Sequence, residues 1–105
     1  MRTIKRKKMN RRPSTPGEVL QEIFLMPNGI TQVKFAQDLS DLTNGRIKTS
    51  TMKTKLSEVI KNKRSMSAEF AILISRLLGT NPKMWMALQT SLDLWLAEKE
   101  LEVAS

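Results

Sequence analysis

The chain of 105 residues has no cysteine, no histidine and no tyrosine. Without cysteine there is no disulfide framework and no thiolate metal site, a composition that suits a reducing compartment such as the cytoplasm. Without histidine the commonest general base and the commonest metal ligand are both missing. The glycines (Gly17, Gly29, Gly45 and Gly79) stand far apart and read as isolated stops, not as a phosphate-cradling loop. The acidic residues are scattered, with no convergent pair for acid–base work. No enzymatic activity, cofactor or metal is expected. No apolar run approaches the roughly 20 residues of a membrane span, and the basic start lacks the apolar run of a secretory signal. No membrane partner is expected.

What the chain has in excess is positive charge, and the charge is concentrated. The net charge is +8, of which residues 1–12 hold +7 and residues 46–64 hold +6, while 13–45 and 65–105 are slightly acidic. Two basic blocks in an otherwise acidic chain mark a face for a polyanion. The first block has few apolar groups and reads as a flexible basic arm spanning residues 1–14.

From residue 15 the apolar spacing is helical throughout, and no segment alternates long enough to be a strand. Thr15 caps a first helix that carries Val19, Leu20, Ile23 and Phe24 and stops at Pro27-Asn28-Gly29. Thr31 caps a second helix with Phe35, Ala36, Leu39 and Leu42 on one face and Lys34 and Asp38 as an exposed pair. A third helix starts at about Ser50, with Met52, Leu56, Val59 and Ile60 as a narrow apolar stripe. Ser67 caps a strongly apolar fourth helix that ends at Gly79. Asn81-Pro82 opens a fifth helix that runs to near Lys99. The fold class is all-α: five helices over 15–100, with a short tail at 101–105.

The third helix carries the functional signal. With its stripe turned inward, Ser50, Thr54, Ser57 and Lys61 point outward, with Thr51, Lys53 and Glu58 on the shoulders. Short hydroxyls and amines suit base edges in a major groove, and cations suit phosphates. The third helix lies in the +6 block and a short helix comes just before it; two short helices joined by a turn predict a helix-turn-helix on duplex DNA. Candidate DNA contacts are Gln32 at the second helix's start, Arg46, Lys48, Ser50, Thr51, Lys53, Thr54, Ser57, Lys61, Lys63 and Arg64. Trp85, Leu88, Leu92 and Trp95 form a heptad-like seam. Trp85 is expected to pack on the fourth helix, and Leu92, Trp95 and Leu96 are candidates for a homodimer contact. A dimer would demand an inverted-repeat operator. A basic RNA-binding protein is the alternative from a different class.

Thr15-Pro16-Gly17-Glu18-Val19-Leu20 resembles the His-Pro-Gly-Glu opening of the HigA/VapI-type antitoxins, members of the Xre/Cro-like helix-turn-helix superfamily. Gly29-Ile30-Thr31-Gln32 is similar to the entry to their second helix. Leu77-Leu78-Gly79-Thr80-Asn81-Pro82, Met84-Trp85-Met86-Ala87-Leu88-Gln89 and Leu92-Asp93-Leu94-Trp95 resemble their fourth and fifth helices. The resemblance covers about residues 15–97 and implies a dimeric repressor of its own operon that neutralises a HigB-like RNA-cleaving toxin. A stand-alone phage-like or housekeeping repressor without a toxin is the runner-up. In two places the chain departs from the pattern. Thr15 replaces a frequent His. Asp41 to Thr49 read as an insertion where the family has a tight turn, bringing Arg46 and Lys48 as additional phosphate contacts.

Overall fold

A computed structural model describes residues 11–104. Every regular element among them is a helix. The order is α1 (Pro16–Val19), continued without a break by a π-helical stretch (Leu20–Leu25), then α2 (Gln32–Leu42), α3 (Thr49–Ile60), α4 (Ala68–Leu78) and α5 (Pro82–Ala104). The basic block at 1–12, read as an arm, lies outside the described residues except for Arg11 and Arg12. No helix among the described residues is long and apolar enough to cross a membrane.

Four of the helix starts follow from side-chain caps, whereas α3, preceded by Lys48, has none. Thr15 Oγ1 accepts the Glu18 N–H, Thr31 Oγ1 the Lys34 N–H and Ser67 Oγ the Phe70 N–H, all at 3.1 Å. Asn81 Oδ1 accepts the Lys83 N–H at 2.9 Å. Each cap satisfies a donor that the helix itself leaves free.

Two elements differ from the sequence reading. In the first helix the π turn replaces i→i+4 spacing by i→i+5, as in the Met26 N–H donating to Gln21 O at 2.9 Å. The wider turn brings Leu25 inside with Leu20, both fully buried, and leaves Ile23, expected in the core, 59% exposed. The fifth helix does not stop near Lys99 but continues through Ala104, so the expected tail at 101–105 is helical up to that residue. No glycine or proline follows Pro82 to end it. At about 1.5 Å per residue, α5 accounts for much of the 54 Å long axis of the molecule.

The core is shared by all the helices. Phe35, Ala36 and Leu39 of α2, Met52, Leu56 and Val59 of α3, and Phe70, Ala71, Leu73 and Ile74 of α4 surround the fully buried Trp85. The Trp85 ring lies 5.5 Å from that of Phe24, and its indole N–H donates to Thr80 Oγ1 at 2.8 Å.

Gly17 is not a stop. It is helical, and a Cβ there would lie 2.1 Å from the Val59 carbonyl oxygen and 2.7 Å from the Ile60 Cα. Main chain of the first helix therefore touches main chain at the end of α3. Gly17→Ala is expected to lower unfolding stability by about 1–3 kcal/mol, the usual cost of overpacking a site that backbone cannot vacate. A urea titration of wild type and variant measures it.

Candidate nucleic-acid interface

α2 and α3 form the most extensive helix–helix contact in the molecule. The segment expected to be inserted is divided between them: α2 runs through Leu42, and residues 43–48 form a hydrogen-bonded linker. The chain turns where Asn44 and Gly45 take φ of 55° and 77°, and the Gly45 N–H donates to Ser40 O at 3.2 Å. The buried Ser40 hydroxyl donates to Ile47 O at 2.6 Å, and Thr43 Oγ1 accepts the Ile47 N–H at 3.1 Å. Ile47 packs against the core. Both polar groups of Ile47 are thus tied to side chains, Ser40 of α2 and Thr43 just beyond its end, and α3 starts from a fixed point.

α3 buries Met52, Leu56 and Val59 and half-buries Ile60, as its stripe predicts. Ser50, Thr51, Lys53, Thr54 and Lys61 are exposed on the other side. The Thr54 hydroxyl donates to Ser50 O at 3.2 Å, which restrains its rotamer but leaves its lone pairs outward. Ser57, expected to point fully outward, is half-buried. Gln32 is half-buried as the first residue of α2. Lys48 precedes α3 and is exposed, as is Lys63 in the turn after it.

The two arginines that flank α3 are held by acids. Arg46 pairs with Glu69 of α4 at 2.8 Å, and Arg64 pairs with Glu58 of α3 at 2.7 Å. Lys48, Lys53, Lys61 and Lys63 make no ion pair with other described residues. Exposed pairs of this kind contribute about 0–1 kcal/mol, so a phosphate can replace the carboxylate at small cost. Arg46–Glu69 spans 23 residues and Arg64–Glu58 crosses a helix end. Neither follows a helical spacing, and no sequence pattern signals them.

On α5, Leu92 is buried within its own chain, 8% exposed, which removes it from the candidates for an outward contact. Leu96 is 49% exposed and Trp95 half-buried. The Trp95 indole N–H is buried with no acceptor among the described residues, and the Lys99 ammonium lies 5.4 Å from the ring centre.

A short helix, a fixed linker and a second helix with its polar face outward define a helix-turn-helix module. The chain is 32% identical over 87 residues to an uncharacterised HTH-type transcriptional regulator of Haemophilus influenzae, covering 83% of this chain and 72% of that protein. It is 32% identical over 96 residues to antitoxin HigA-1 of Vibrio cholerae, covering 85% and 74%. The solved structure of Pseudomonas aeruginosa antitoxin HigA with the higBA promoter superposes with a TM-score of 0.71 at 28% identity, over 85% of this chain and 86% of that one. No family model matches the chain. The protein belongs to the HigA/VapI-type antitoxins among the helix-turn-helix regulators.

The linker can be tested without any ligand. Ser40→Ala removes the donor to Ile47 O and is expected to cost about 1 kcal/mol of stability, typical of one net hydrogen bond. Amide hydrogen exchange should accelerate at Ile47 and its neighbours while the core amides of α4 keep their relative order of protection.

Proposed function

We propose that this protein is a sequence-specific, dimeric DNA-binding repressor that serves as the antitoxin of its own operon and is not an enzyme. The observation that carries the reading is the outward face of α3, where Ser50, Thr51, Lys53 and Thr54 are exposed on a helix held rigidly from behind. Hydroxyls and amines at that spacing meet base edges, while Lys48, Lys61 and Lys63, with Arg46 and Arg64 released from their carboxylates, meet phosphates. The P. aeruginosa relative solved with the higBA promoter supports DNA as the ligand. The V. cholerae relative, an antitoxin, supports a HigB-like toxin as the second partner. Operon repression would place the protein in the cytoplasm. The runner-up is a repressor without a toxin, which co-purification from the native operon would separate from the first reading.

RNA is a poorer fit. Single-stranded RNA is read largely by stacking on exposed rings, and Phe35, Phe70 and Trp85 are buried while Phe24 and Trp95 are half-buried.

Base reading and phosphate binding have different signatures. Thr54→Ala is expected to weaken operator binding by about 1–3 kcal/mol with little change on random DNA. Lys61→Ala should weaken both alike and reduce the salt slope by about one. Fluorescence anisotropy on operator and random duplexes distinguishes the two patterns. If Thr54→Ala costs the same on both duplexes, α3 does not read bases.

The dimer would form through the outer face of α5. Apolar cover from a second copy would bury Leu96, which is 49% exposed. Leu96→Asp is therefore expected to raise the dimer dissociation constant and to weaken operator binding in step. Light scattering gives the mass. Footprinting should show half-sites about 10 base pairs apart or a multiple of that.

A further inference from the structure

We propose that Gln89 of α5 is a positioning residue that sets the loop carrying Lys61, Lys63 and Arg64. The proposal rests on the reading of that loop as a phosphate contact. Gln89 is 7% exposed and is held at both ends of its amide. Its Oε1 accepts the Met66 N–H at 2.7 Å, and its Nε2 donates to Asp93 Oδ1 at 2.9 Å.

Met66 is the buried residue at which the loop returns to the protein, 2% exposed, whereas residues 61–65 are all exposed. At its other end the loop is tied to α3. There the Lys63 N–H donates to Glu58 O at 2.8 Å, Asn62 sits at φ 60°, and Arg64 pairs with the Glu58 carboxylate. The loop is thus held by α3 at one end and, at the other, by the buried Met66 side chain and the Gln89 amide of α5. A buried backbone N–H must find an acceptor, and Gln89 supplies it from a helix 23 residues away in sequence.

The second half of the amide extends the connection. Asp93 is exposed one turn further along α5. Together with Leu96, Lys63 and Arg64 it lines a cavity of about 130 Å³. Asp93, Gln89 and the Met66 N–H therefore run in an unbroken series from the outer face of α5 to the cationic loop. α5 is in this sense part of the DNA interface without touching DNA.

The test uses the full chain and measures operator affinity against KCl concentration for four proteins. In the Lys63→Ala/Arg64→Ala double variant the slope of log K against log salt should fall by about two, because each phosphate contact contributes about 0.9. Gln89→Met keeps the volume but removes the acceptor. Its slope should fall by about one to two, with affinity down about tenfold near 0.15 M salt. The exchange Gln89→Glu with Asp93→Asn keeps an oxygen facing the Met66 N–H, lets the residue 93 amide donate to the other carboxylate oxygen and leaves the net charge unchanged, so it should retain the wild-type slope, which a requirement for mere side-chain volume would not produce. Dimer mass is measured on the same preparations. Should Gln89→Met not fold, Gln89→Asn, one methylene shorter, carries the same expectation. An unchanged slope in Gln89→Met beside a reduced one in the Lys63→Ala/Arg64→Ala double variant would overturn the positioning role, as would a loss in the Gln89→Glu, Asp93→Asn exchange equal to that in Gln89→Met. A wild-type slope in the double variant would instead overturn the loop's place at the phosphates, and the inference with it.

Discussion

Met52, Leu56 and Val59 are the side chains by which α3 is buried, and the rest of the molecule is arranged around that narrow seam. Each such side chain stabilises by about 1.5–3 kcal/mol when removed from water, enough to hold the helix and no wider than one stripe. A broader apolar face would fix α3 more firmly but would bury the hydroxyls of its outward side. The deficit in side-chain anchoring is made up at the two ends. The Ser40–Ile47 and Thr43–Ile47 bonds secure the start, and the close approach of Gly17 to Val59 and Ile60 secures the finish.

Much of this was legible in the residues, for reasons that differ from element to element. Thr15, Thr31, Ser67 and Asn81-Pro82 announce helix starts because capping is local chemistry, decided within three residues. The α3 stripe is legible because burial on one side of a regular helix imposes a period. The π turn was not, since Val19, Leu20, Ile23 and Phe24 satisfy the ordinary spacing and nothing local marks the shift that buries Leu25 and exposes Ile23. Gly17 looked like punctuation because its role depends on main chain some 40 residues later. The stretch from Asp41 to Thr49 looked like a disruption between two helices. Its side-chain bonds make it a rigid connection instead, and that depended on Ser40 and Thr43 meeting Ile47 in space.

The charged surface shows a division of labour that composition alone conceals. The exposed lysines around α3 are unpaired within the described chain, whereas both arginines are oriented by carboxylates. A planar guanidinium kept in place by an acid loses less freedom on meeting a second anion than a free one would. Because the two pairs are exposed and weak, they keep Arg46 and Arg64 in place without withholding them.

The contact at Gly17 has a consequence for how the surface can change over time. The angle at which α3 is presented is set there by main chain against main chain, and such a contact is indifferent to the identity of neighbouring side chains. Residues on the outward face of α3 are therefore decoupled from the docking of the helix. On the proposed reading of these residues as base contacts, Ser50, Thr51, Lys53 and Thr54 can be exchanged for other polar groups, and the preferred base sequence rewritten, while the frame stays the same. Target choice can drift quickly on such a scaffold. The glycine cannot.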